Sequence, residues 1–135
     1  MICVVDSGPL FAAADRSQAG HDQCVEVLAR GDLDLVIPAM VVAEVSYLVG
    51  KRLGAVAEAQ LLRGLAGFDV QAPHPDDWAR IGDLVEQYSD FPLGGTDASI
   101  IALAERLDTP TVITLDRRHF GAVRPRHCES LQLLP

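Results

Sequence analysis

Four short runs of apolar, often β-branched residues, ICVV at 2–5, LDLVIP at 33–38, FDVQAP at 68–73 and TVITL at 111–115, are separated by segments with helical apolar spacing. Strand and helix therefore alternate along the chain with short connections, and LQLL at 131–134 reads as a closing strand. ICVV has no polar position, which fits a strand buried on both faces, as parallel strands are. Parallel neighbours need a crossover between them, and the helical segments supply it. The expected architecture is an α/β domain: a parallel sheet of four to five short strands, covered on both faces and joined by right-handed crossovers.

The helical segments have recognisable limits. HDQCVEVLARG, 21–31, spaces Cys24, Val25, Leu28 and Ala29 and stops at a glycine. AMVVAEVSYLVGKRLG, 39–54, and VAEAQLLRGLAG, 56–67, predict two consecutive helices, the second ended by Gly67. PDDWARIGDLVEQYSD, 75–90, opens on proline and acids and spaces Trp78, Ile81, Leu84, Val85 and Tyr88 along one face. TDASIIALAERL, 96–107, predicts a further helix after the FPLGG loop, and RRHFGAV, 117–123, a turn or short helix. No repeat, linker or low-complexity stretch interrupts the pattern, and 135 residues suit a single domain, 1–135.

Composition narrows the function. The three cysteines, Cys3, Cys24 and Cys128, are odd in number and lack C-x-x-C spacing, which argues against a disulfide framework and a zinc site and for structural thiols. No membrane-spanning or export segment is visible, so a cytoplasmic protein is expected. The net charge of −8 opposes general attraction to a polyanion. Against that mean, Arg117, Arg118, Arg124 and Arg126 fall within ten positions and are candidate phosphate contacts, or else a solvated charge cluster.

Acids stand where α/β sheets hold ligands, at the carboxyl ends of strands. Asp6 follows ICVV, and Asp116 follows TVITL. Singly, each aspartate reads as a helix N-cap, with Pro9 at an early helical position after Asp6 and Ser7. Thr96 or Asp97 likewise suits a cap, and Asp97 gains from the helix dipole. Glu44 flanks a stripe of Val41, Val45, Leu48, Val49 and Arg52, so it points near the core and needs a cation: Arg52, Lys51 or a metal. Jointly, four carboxylates converging on one point need compensation, and an all-oxygen donor set favours Mg²⁺ or Mn²⁺ over zinc or copper.

The segments VVDSGPL, PAMVVAEVSYLVG, LGGTDASIIALAERL and VITLDRRHF resemble the four acidic motifs of PIN-domain ribonucleases, and more narrowly the toxin component of VapBC-type toxin–antitoxin pairs. They cover almost the whole chain in family order. The resemblance implies a three-layer α/β/α PIN-like fold. It implies an Mg²⁺- or Mn²⁺-dependent endoribonuclease that leaves 5′-phosphate and 3′-hydroxyl ends, a VapB-type antitoxin whose tail lies over the groove, and a toxin homodimer. Carried over by position, it makes Asp6, Glu44, Asp97 and Asp116 the catalytic and metal-binding acids, with Ser7 and Thr114 as supporting hydroxyls. Many family members have an acid directly before the final phenylalanine; this chain has His119 there. That leaves the fourth acidic role to Asp116 alone, and His119 reads as a substrate contact or an exposed bystander.

Two other classes are open. A PIN-like module could serve as an inert binding platform, which the presence of all four acids opposes. A Mg²⁺-dependent phosphoacceptor domain also puts an aspartate after its first strand, but it needs a late lysine and a D-x-D, and Lys51 is the only lysine here.

Overall fold

The computed structural model describes residues 1–135. Its first half runs β1 (Ile2–Val5), α1 (Ser7–Ala14), α2 (His21–Leu28), β2 (Asp34–Pro38), α3 (Ala39–Leu53), α4 (Ala55–Gly64) and β3 (Asp69–Gln71). The second half runs α5 (Asp77–Gln87), α6 (Gly95–Arg106), β4 (Thr111–Ile113), α7 (Arg117–Ala122) and β5 (Gln132–Leu134). All five strands are parallel, in the order β3-β2-β1-β4-β5. Ile2 lies opposite Asp34 and Val4 opposite both Val36 and Val112.

The chain steps outward from β1 to β3, then crosses back and resumes on the other side of β1. Right-handed crossovers put α1 to α4 on one face and α5 to α7 on the other, which makes three layers. The connections leave β1 and β4 in opposite directions, so a crevice opens between their carboxyl ends. That is the topological switch point where such sheets hold ligands.

Burial follows this layering. Val4, Val5, Ile37, Val112 and Ile113 are fully enclosed in the sheet. Helix α6 buries every residue from Ala98 to Ala104 between the sheet and α5, Ser99 among them with its hydroxyl donating to the Thr96 carbonyl. Its rigidity matters because its first turn carries Asp97. Helix α3 buries one row, Val41, Val45 and Val49, and α4 buries no residue. Helix α4 instead leans on α3: the Ser46 hydroxyl donates to Glu58 at 2.5 Å. A Cβ at Gly50 would stand 2.6 Å from Glu58 Oε1, so glycine lets the two helices approach. Gly54, at φ +92°, turns the chain between them.

Several limits differ from the periodicity. Residues 7–14 form α1, a helix signalled in the sequence only by Asp6 and Pro9. Helix α2 turns Cys24 and Val27 inward and leaves Val25 exposed. Helix α4 ends at Gly64, and a 3₁₀ turn, Leu65–Gly67, finishes the run. On α5, Ile81 and Leu84 are buried while Trp78 and Val85 face outward, because periodicity gives the direction of an apolar stripe but not the width of what covers it. The three cysteines are free thiols. No helix is long and apolar enough to cross a membrane.

Candidate active site

Asp6 leaves β1 in extended conformation and caps α1, its Oδ1 accepting the Ser7 main-chain N–H at 2.7 Å. The cap explains its place in the sequence, but it occupies only one oxygen. Oδ2 accepts the Thr114 hydroxyl at 2.7 Å. Thr114 Oγ1 in turn accepts the Asp116 N–H at 2.9 Å, so one buried hydroxyl orients two of the acids. The Asp6 main-chain N–H also bonds the Ile113 carbonyl at 2.9 Å, locking the two strand exits side by side.

Asp116 caps α7 through Oδ1, which accepts the His119 main-chain N–H at 2.9 Å. Its Oδ2 lies 2.7 Å from His119 Nδ1, and His119 Nε2 lies 3.0 Å from the Phe91 carbonyl. Both partners of the ring are acceptors, so the imidazole serves both at once only when each nitrogen carries a proton. His119 is half-buried and packs edge-to-face on Phe91 at 4.8 Å, so it is no exposed bystander.

Glu44 is exposed on α3, away from the row that α3 buries. It therefore escapes the desolvation that would demand a cation. Its Oε2 accepts the Ser7 hydroxyl at 2.8 Å. Lys51 and Arg52 lie instead over the Tyr47 and Phe11 rings, each at 5.8 Å. Asp97 departs from the capping expectation: Gly94 is the N-cap of α6, so Asp97 sits inside the first turn and its side chain makes no cap hydrogen bond. With Gly94 starting the helix, the Asp97 carboxylate lines the crevice instead.

The four acids line one open cleft of about 510 Å³ together with Ser7, Gly8 and Leu115. Their charges act on one another. Burial first, then Asp6, Asp116 and Glu44, push the Asp97 carboxyl up to about 6, with His119 pulling the other way. Burial also holds Asp6 above the ordinary carboxylate range, with Glu44 and Asp116 adding to it, against the opposing hydrogen bonds from Thr114 and Ser7. Raised carboxyls in an acidic cleft mark negative charge that lacks a counterion. In this conformation no three His, Cys, Asp or Glu side chains stand close enough to hold an ion. Asp6, Glu44 and Asp116 each accept a hydrogen bond from a protein donor. The chemistry of the donor set, all hard carboxylate oxygen with an unrelieved charge, fits Mg²⁺ or Mn²⁺.

The four arginines divide. Arg118 lies over the Phe91 ring at 5.5 Å, beside His119, and Arg117 donates to the Pro135 main-chain oxygen. Arg124 and Arg126 follow α7, where their main-chain N–H groups bond the Tyr88 hydroxyl and Glu105. The cleft lining contains no lysine, the residue that a phosphoacceptor site would require. Sequence reasoning missed Leu115 as a wall of the cleft, 46% exposed beside Gly8. Its signal was its place between Thr114 and Asp116, just past the end of β4, where the chain leaves the sheet.

Comparison with known proteins bears on this geometry. The PIN domain family model matches residues 3–124. Over 124 residues, 90% of this chain and 92% of the relative, it is 39% identical to ribonuclease VapC26 of Mycobacterium tuberculosis. The fold matches the crystal structure of VapC20 of M. tuberculosis, a sarcin-ricin loop cleaving toxin, with TM-score 0.82 at 15% identity over 90% of this chain and 95% of that one. It also matches VapBC2 from Rickettsia felis, solved bound to a promoter DNA fragment, with TM-score 0.72 at 19% identity over the full length of both chains.

Proposed function

Starting from a chain that belongs to the PIN-domain family, we propose that it is a metal-dependent endoribonuclease, the toxin of a toxin–antitoxin pair. The carrying observation is the convergence of Asp6, Glu44, Asp97 and Asp116 on one cleft at the switch point of the sheet. Mg²⁺ or Mn²⁺, when bound, supplies Lewis acidity toward the phosphodiester and the water that attacks it. Asp6, Asp97 and Asp116 would hold the ion, with Glu44 completing the set at the mouth.

The chain's own groups do the rest. Thr114 and Ser7 keep Asp6 aimed into the cleft, and Thr114 holds the backbone at Asp116. The Ser7 hydroxyl engages one Glu44 oxygen and leaves the other to orient a water. Attack of water on phosphorus breaks the bond to the 3′ oxygen, which leaves as the 3′-hydroxyl, and the phosphate stays on the 5′ end of the other product. Leu115 limits the width of the entrance, and Arg118, over the Phe91 ring, is the arginine offered to the phosphate backbone.

The relatives in toxin–antitoxin complexes support a VapB-type antitoxin as partner, and its basic groups would find the acidic cleft complementary. We further propose a toxin homodimer acting in the cytoplasm, with residues 1–135 as one domain. The test is cleavage of total cellular RNA by antitoxin-free protein in Mn²⁺ against chelator, with Asp6→Asn as control. Discrete cleavage that requires both the ion and Asp6 is expected. Cleavage that persists in chelator, or in the variant, overturns the proposal.

A further inference from the structure

His119 touches two parts of the site that the chain brings together from distant positions. One is Asp116, through Nδ1 at 2.7 Å. The other is the carbonyl of Phe91, through Nε2 at 3.0 Å. Phe91 lies in the loop between α5 and α6, three residues before Gly94, the cap of the helix whose first turn carries Asp97. Between them Leu93 is buried, which seats this loop on the core next to the start of α6. The Phe91 ring is itself held edge-on by His119 and faced by Arg118.

We propose that His119 is a positioning residue, a strap that joins to Asp116 the loop leading into α6, whose first turn carries Asp97, and so sets the separation of the third and fourth acids. The residue type follows from the geometry. The gap is bounded by two acceptors, a carboxylate and a carbonyl, and is spanned by a rigid ring with a nitrogen at each end. A carboxylate here would repel Asp116 and could not donate to both acceptors. Alanine would leave Asp116 tied only through Oδ1 and the loop tied to Asp116 by nothing. The second oxygen of Asp116 is also the one that His119 keeps from rotating away, so the strap orients the carboxylate as well as locating it.

Outer partners of ion-binding carboxylates typically matter 10- to 100-fold in affinity or activity. The experiment compares wild type, His119→Ala and His119→Gln, the last retaining one side-chain donor. Its activity readout rests on the ribonuclease reading above; the other two readouts do not. Measured together are kcat and KM on an RNA oligonucleotide carrying the site mapped on total RNA, Mn²⁺ affinity by calorimetry, and hydrogen exchange of the amides of residues 91–95. Alanine should lower kcat by about 10- to 100-fold and Mn²⁺ affinity by about tenfold, with KM within about twofold and faster exchange in the loop. Glutamine should recover part of kcat.

A folded alanine variant with wild-type kcat, Mn²⁺ affinity and loop exchange overturns the strap. So does a raised KM at unchanged kcat, which would make His119 a direct RNA contact. If the alanine variant does not fold, the same comparisons are read on the glutamine variant. If wild type binds Mn²⁺ but cleaves no RNA, the ribonuclease reading fails while the strap is still decided: weaker Mn²⁺ binding and faster exchange in the variant support it, and unchanged values overturn it.

Discussion

Replacing Asp97 by asparagine should make the ion-free protein more stable while destroying its activity. Asp97 is the cleft acid whose side chain accepts no hydrogen bond, and burial plus the charges of Asp6, Asp116 and Glu44 lift its carboxyl from 3.8 to about 6. The folded protein thus holds this proton more tightly than the unfolded chain does. Stability from the protonated group is complete below about 4 and is lost as pH rises through about 6. A carboxyl displaced that far has its charged form disfavoured by about 3 kcal/mol relative to the unfolded chain. The side chain is partly exposed in an open cleft, and screening by solvent reduces this to about 1–2 kcal/mol. Asparagine has nearly the same shape and no charge, so at pH 7 in chelator Asp97→Asn should gain that amount, about 4–8 °C in Tm. At pH 4, where the aspartate is itself neutral, the gain should vanish. Mn²⁺ should raise the Tm of wild type by mass action and leave the variant nearly unchanged. Urea and thermal unfolding at both pH values, with and without Mn²⁺, read these changes. A variant no more stable than wild type at pH 7 in chelator, or equally stabilised at pH 4, refutes the argument from uncompensated charge. A variant that still cleaves RNA removes Asp97 from the ion-binding set.

Thr114→Val keeps the shape of a buried side chain but leaves Asp6 Oδ2 and the Asp116 N–H without partners, a loss of about 1–3 kcal/mol in urea unfolding. The same change removes a bond that lowers the Asp6 carboxyl, so the acid limb of the activity profile should move to higher pH. Ser7→Ala retains the main-chain donor to Asp6 and frees Glu44; stability should change by less than about 1 kcal/mol while kcat falls several-fold, as single-turnover kinetics would show. Ile101→Ala, in the enclosed stretch of α6, should cost about 2–5 kcal/mol by urea unfolding; a change under about 1 kcal/mol would mean that α6 is not the core of its layer.

The alternation of apolar runs with helix-periodic segments made the α/β class legible, because a strand buried on both faces cannot be mistaken for an alternating surface strand. The acids after ICVV and TVITL could be located for the same reason: a strand must end, and its end in a parallel sheet lies at the ligand edge. Their capping roles were also legible at Asp6 and Asp116, and the structure shows that each side chain has a second oxygen directed elsewhere. Glu44 was misread as core-flanking, since helical periodicity places a residue around the axis but does not say how far the covering layer extends. Its true partner, Ser7, is 37 positions away and invisible to any local pattern.

By itself the sequence determined which segments are strands, which are helices apart from α1, and which strand ends carry an acid, since these depend on neighbours within a turn or two. Strand order, and with it the placing of β1 beside β4, was decided only by tertiary structure, because it depends on which crossovers pack over which face. The same holds for the bond from His119 to the Phe91 carbonyl and for the raised carboxyl of Asp97. Both arise from groups far apart in the chain, and hydrogen bonding and Coulomb repulsion depend on distance in space rather than on position along the backbone.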